Sequence, residues 1–378
     1  MDAVITGVGT SAFGKQQVDA EHLVSLAIDE ALEGSAVPAH EIEAVFVGNV
    51  FAYAGTAHRA LRASGITGAP VVTVENACAS GTLAFHLASQ AVRDGRHGTV
   101  LAVGFEKMSD HIKGPIPTDP YDIDAQSGMI LPGIYAMSAV RHAYLYGSTP
   151  EDLAWISVKN HRNALGNDRA QYRGEFTIEE VLASKPIADP LTILQCSPVS
   201  DGAGAAVIQS ADRTDSGQRR VKVLASALES GKLWPGPDDR VWNFELIERT
   251  THRVLADAGL GISEIDVAEV HDAFTIGEIV TIEAMGLCGI GEGATFSRDG
   301  NTALDGIIPV NPSGGLLSRG HPLGATGMAQ LAELYWQLTA QAGKRQVAGA
   351  ETALLETMGG SVTGLSGNGC VVAALRTY

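Results

Sequence analysis

VVTVENACASGTLAFHLASQAV, residues 71–92, carries a whole α/β unit in one breath. The β-branched run at its start predicts a buried strand, the small residues from Asn76 to Ser80 a turn, and the apolar spacing after Gly81 a helix. That order places the thiol of Cys78 at the first turn of a buried helix. Unpaired backbone N–H groups and the positive end of the helix dipole favour thiolate over thiol there, and the same groups can hold an oxyanion. Cys78 is thus a candidate nucleophile, set against the more common fate of a free cysteine, which is simply to pack.

Working outward, the chain repeats itself. A helical pattern leading into EIEAVFVGNV (41–50) returns as one leading into EIDVAEVHDA (264–273). SGTLAFHLASQ from Ser80 parallels TGMAQLAELYW from Thr326, and DGAGAAVIQ from Asp201 parallels SGNGCVVAA from Ser366. Three pairs in the same order predict two similar α/β halves, placed at 1–214 and 215–378. The first half is the longer one. Its surplus falls at about 113–194, an excursion rich in Pro and Gly, in which Thr149 and Pro150 stand as N-cap and first residue of a helix.

Composition bounds the partners. A formal net charge of −17 argues against nucleic acid, so an anionic ligand needs a local basic patch. Arg141, Arg162, Arg169 and Arg173 in the excursion are candidates, although such arginines are usually just solvated. Four scattered cysteines with no CxxC pair signal neither a zinc site nor a disulfide framework, so no metal is expected and the compartment reads as reducing. No segment approaches the roughly 20 apolar residues of a membrane span, and no basic leader precedes an apolar run. A cytoplasmic protein without a membrane span is the expectation.

The second half supplies the partner chemistry. NPSGGLLSRGHPLGATG (311–327) is a glycine-rich approach to the helix that mirrors the one after Cys78, with His321 just before its start. Symmetry would bring thiol and imidazole face to face, His321 acting as general base toward Cys78. His271 ends a predicted strand in EVHDAF, where α/β folds gather ligand contacts. The turn SGNGC (366–370) offers flexible N–H donors, or is a plain corner.

ENACASG around Cys78, HDAF at 271–274, NPSGG with GHPLGATG at 311–327, and PIADPLTILQCSPVSDGAGA at 187–206 together resemble the thiolase superfamily, in its sterol-carrier and archaeal branch, sometimes described as lipid-transfer proteins. The resemblance spans nearly the whole chain and implies a five-layered αβαβα fold, a homodimer or dimer of dimers, and coenzyme A thioester (acyl-CoA) substrates. It implies that Cys78 accepts the acyl group, that His321 activates it, that His271 lines an oxyanion hole, and that Gly367 with the Cys78 N–H forms a second. It also implies a small OB-fold companion with a zinc ribbon. A β-ketoacyl synthase has a related fold and a similar cysteine, but GHPLGATG and HDAF fit thiolases better.

The chain departs from the family at one function. Common thiolases carry a second, proton-shuttling cysteine in a C-x-G turn near the C-terminus, where this chain has Thr363, and sterol-carrier members carry it in HDCF, where this chain has Ala273. Cys370 lies past the turn, in the last predicted strand, and reads as core. Three readings stay open: an acyl-CoA acyltransferase of the acetyl-CoA acetyltransferase type, a retro-aldolase on a β-hydroxyacyl-CoA, and a non-catalytic thioester-binding subunit. Retention of both Cys78 and His321 makes the last the weakest.

Overall fold

The computed structural model describes all residues except 115, 118–119, 215–219, 234–240, 242 and 361–366. Its strands are β1 (Ala3–Thr10), β2 (Ala44–Gly48), β3 (Val71–Val74), β4 (Thr99–Lys107), β5 (Pro186–Ala188), β6 (Leu191–Thr192), β7 (Asp201–Ser210), β8 (Val221–Glu229), β9 (Val267–Glu269), β10 (Thr352–Gly359) and β11 (Gly369–Thr377). Nine of them form one mixed sheet in the order β3-β2-β4-β7-β1-β8-β11-β10-β9, and β5 with β6 makes a separate antiparallel pair.

The repeat is visible in that order. β1 and β8 meet antiparallel at Ala3–Val223, Val4–Lys222 and Ile5–Val221. Outward from this seam, one side runs β1, β7, β4, β2, β3 and the other β8, β11, β10, β9, with matching strand directions. The counterpart of β3 survives only as a parallel bridge between Ala268 and Val310. Strands such as AVITGVGT and TALLETMG are buried along their whole length, because helices cover both faces.

Helices Ser80–Arg93 and Thr326–Leu338 pack on each other and touch strands of both halves, forming the middle layer. Phe85, Val92, Met328, Leu331 and Leu334 fill its core against Ile208, Val223, Leu355 and Leu375. Full burial of each such side chain stabilises the fold by about 1.5–3 kcal/mol. Helix Ala20–Ser35 covers the first half through Leu23, Ala27 and Ile28, and helices Phe244–Ala258 and Thr275–Ala284 cover the second through Leu246, Ile247, Ile276 and Ile279. Five layers result, as expected.

One close approach fixes how the two central helices cross. A Cβ on Gly327 would overlap the Thr82 hydroxyl and crowd its backbone N, so only glycine lets these helix starts meet. The excursion forms helices Leu131–Tyr146 and Pro150–Ala164; the second begins with a full capping box, Thr149 and Asp152 each accepting the other's backbone N–H. Among the described residues no helix is long and apolar enough to cross a membrane.

Candidate active site

The turn before the first central helix is held taut. The Ser80 hydroxyl accepts the Asn76 N–H at 2.8 Å and donates to the Ala77 carbonyl at 2.6 Å, while the Glu75 carboxylate accepts the Ala77 N–H at 2.6 Å. Ala77 adopts φ +44°, a left-handed conformation a non-glycine residue takes only when its surroundings enforce it. This kink presents Cys78 at the head of the helix.

A longer, polar scaffold holds the second turn. Glu269, at the end of β9, accepts from the Ser313 N–H (3.0 Å), the Ser313 hydroxyl (2.9 Å) and Arg319 Nη1 (3.0 Å) in a fully buried cluster. Asp272 accepts the Leu316 N–H and Asn160 Nδ2, each at 2.7 Å, and so ties the same loop to the excursion. Ser200 then accepts the His321 N–H at 3.0 Å.

The ring of His321 is oriented by one hydroxyl. Thr326 Oγ1 lies 2.7 Å from His321 Nδ1 and 3.0 Å from the Pro322 carbonyl. A hydroxyl has one proton; given to the carbonyl, it leaves the oxygen to accept Nδ1–H. We assign that tautomer, which puts the free lone pair on Nε2, a buried atom with no partner among the described residues. His271 stands edge-on to His321, ring centroids 5.1 Å apart at 80°, and donates its backbone N–H to Glu356 on β10 at 2.9 Å. Cys78 Sγ and one ring nitrogen from each histidine lie within 4.8 Å of one another. Three residues from distant segments thus converge, which no local spacing could have announced.

Electrostatics modify one expectation. Burial pushes the Cys78 thiol up to about 12, with Glu106 and Glu75 adding to the effect, against the Gly360 and Cys78 backbone N–H groups that favour the anion. At neutral pH the resting group is therefore a thiol, not the thiolate expected from its helix position, because desolvation outweighs the partial charge of the helix end. Burial also lowers His271 to about 3 and holds His321 well below its ordinary value, so both imidazoles are neutral. A neutral base beside a neutral thiol suits proton transfer coupled to attack.

Gly367, expected to share an oxyanion hole with the Cys78 N–H, lies between β10 and β11. Its carbonyl accepts from the Gly231 N–H at 3.0 Å, and a Cβ on it would meet Met358, Asn243 and Leu246. The N–H that reaches the sulfur belongs to Gly360, just past β10, where a Cβ would meet Ala77. Thr363 lies outside the described residues. Cys370 is buried in β11 with its sulfur 3.7 Å from Glu356, in agreement with its reading as core. Arg169 is engaged in an ion pair with Glu30 at 2.6 Å and stacks over Trp336, so it is spent on structure.

Sequence reasoning also missed Thr326, Glu356 and Glu106. A hydroxyl one helical turn beyond His321 was the available signal for the first. Glu106, at the end of β4, accepts the N–H groups of Val50 (2.9 Å), Phe51 (3.0 Å) and Gly324 (3.2 Å), so it joins the first half to the His321 loop.

A model of the thiolase N-terminal domain matches residues 1–212, and one of the thiolase C-terminal domain-like family matches 238–366. The chain belongs to the thiolase family. It is 40% identical over 371 residues to an acetyl-CoA acetyltransferase of Methanothermobacter thermautotrophicus, covering 95% of this chain and 97% of the relative. To the benzoylsuccinyl-CoA thiolase subunit BbsB of Thauera aromatica it is 38% identical, covering 91% and 90%, and to human sterol carrier protein 2 it is 37% identical, covering 94% and 69%. Among solved structures, the Ltp2-ChsH2(DUF35) aldolase superposes with a TM-score of 0.84 at 23% identity over 99% of this chain and 97% of that one. The Acat5 thiolase of Ascaris suum, solved with coenzyme A, gives 0.74 at 20% identity over the full length of both chains. The five-layered arrangement is thus the thiolase fold, and this thiolase is an enzyme of the acyltransferase class.

Proposed function

We propose that this thiolase transfers an acyl group from a coenzyme A thioester, in the manner of an acetyl-CoA acetyltransferase, through a covalent acyl-Cys78. The observation that carries the reading is the convergence of Cys78 Sγ with a ring nitrogen of His321, whose Nε2 has no partner among the described residues, at a cluster that also includes His271. As the sulfur attacks the thioester carbonyl, Nε2 takes the thiol proton. The oxyanion forms beside the Cys78 and Gly360 N–H groups, and Gly367 remains a candidate further donor. Collapse expels the coenzyme A thiolate, which leaves with the proton from His321. His271, edge-on to His321, lines the hole for the oxygen of the second reactant in this reading.

A second reading, retro-aldol cleavage of a β-hydroxyacyl-CoA, is favoured by Ala273, which stands where a proton-shuttling cysteine is expected. It would make Cys78 dispensable. Intact-protein mass spectrometry after incubation with a panel of acyl-CoAs separates the two. Addition of the acyl mass to the wild type and none to Cys78→Ala supports acyl transfer; turnover by Cys78→Ala without any adduct overturns it.

The proposed assembly is a homodimer or a pair of dimers, with a small OB-fold zinc-ribbon companion. β3 supports the first part: it is an edge strand with Val72 exposed, able to pair with a second copy. The exposed Met137, Val140 and Tyr144 on one side of helix Leu131–Tyr146 support a further partner.

A further inference from the structure

The three residues given to acyl transfer also make up a set of metal-binding donors. Cys78 Sγ and a ring nitrogen each from His271 and His321 lie within 4.8 Å of one another, and all three side chains are buried. Among the described residues His271 Nδ1 and His321 Nε2 have no hydrogen-bond partner, while Thr326 holds the other nitrogen of His321. From this geometry we propose that Cys78, His271 and His321 bind a thiophilic divalent cation, zinc above all, and that its occupancy reversibly silences the nucleophile.

The chemistry favours that class of ion. One sulfur and two imidazoles are soft and borderline donors, suited to zinc and unsuited to magnesium or calcium, which take oxygen. Tetrahedral zinc with these ligands has donor-to-donor edges of about 3.4–3.6 Å. The longest separation in the cluster therefore has to shrink by about an ångström, within reach of small side-chain rotations. Glu75 and Glu106, whose charges oppose a thiolate at Cys78, for the same reason favour a cation beside it. On binding, the thiol releases its proton to solvent as the sulfur–metal bond forms, with no change of oxidation state. The metal then occupies the lone pair of the nucleophile and that of its base together, and a water completes the fourth position.

The proposal goes beyond the acyl-transfer reading and does not depend on it. Cobalt(II) is the probe, added to the full chain after chelator treatment. The expected result is a near-ultraviolet thiolate-to-cobalt band with the intense visible bands of a four-coordinate ion, saturating at about one equivalent per chain. Cys78→Ser should remove the thiolate band, and His271→Ala should weaken binding by at least about tenfold. On the unmutated protein, zinc should slow iodoacetamide alkylation of Cys78, followed by peptide mapping, by at least about tenfold, and a chelator should restore it. Absence of the band, its persistence in Cys78→Ser, or alkylation indifferent to zinc would overturn the site. Failure of the acyl-mass experiment would leave the cobalt spectrum untouched, so the two proposals fail separately.

Discussion

The two halves place a buried glutamate at matching points and use it differently. Glu106 on β4 accepts backbone N–H groups from the segment after β2, and Glu356 on β10 accepts the N–H of His271, just after β9. Glu106 has both oxygens engaged by three donors, one from the other half. Glu356 gives one oxygen to His271 and turns the other toward the Cys370 sulfur. Burial raises both carboxyls to about 7. The first half's glutamate is a strut between halves; the second half's supports the loop that carries His271.

The same division separates the two turns. The Cys78 turn is short and strained, whereas the His321 turn spends residues 311–325 on a buried ionic scaffold. The largest effect should follow from breaking the second. Replacing His321 with Ala is expected to slow acylation of Cys78 by about 10²–10⁴-fold, measured by rapid-quench mass spectrometry. Thr326→Val, which keeps the shape but frees Nδ1, should lower kcat by about tenfold with KM little changed, since it loosens only the tautomer. Equal losses from the two substitutions would contradict the assigned protonation.

The glutamates give the next contrast. Gln keeps one acceptor oxygen and adds a donor. At Glu356 this fits, the oxygen facing His271 and the amide facing the Cys370 sulfur, so Glu356→Gln should change stability by less than about 1 kcal/mol. At Glu106 it leaves at least one N–H facing another donor, and Glu106→Gln should cost about 2–3 kcal/mol in urea unfolding. At the top of this range stands Gly327→Ala, where overlap with Thr82 should cost about 3 kcal/mol in the same titration by pushing the central helices apart.

How much of this was legible in the sequence follows from range. Strand and helix periodicity depends on near neighbours, and so β2 with β9, β7 with β11, and the two central helices could be paired before any coordinates. Cys78 and His321 were singled out because each sits at a turn where the repeat predicts convergence, and His271 because it ends a predicted strand. Gly360 went unnoticed because which N–H meets the sulfur depends on how the chain leaves β10, and a lone glycine carries no periodicity. The thiolate expectation failed on burial, a property of the assembled layers: the dipole of one helix is visible in its sequence, while the desolvation that defeats it comes from both halves.

The smallest effect is a pH dependence that again tells the halves apart. His271, in the second half, has a native value of about 3 against an unfolded value near 6.5. Between those limits the unfolded chain binds a proton that the native one does not, so stability falls as pH falls through that window. The two glutamates act oppositely: raised to about 7 from 4.5, they bind protons in the native state and lose their contribution as pH rises from 4.5 to 7. His271→Asn removes only the first effect. Relative to the wild type, its unfolding free energy should gain about 1 kcal/mol for each pH unit below 6.5, measured by urea titration at pH 6.5 and 5.5. A constant difference across that step would mean that His271 titrates in the native protein as it does in the unfolded chain, and hence that its nitrogen is not the unpaired, desolvated atom the site requires.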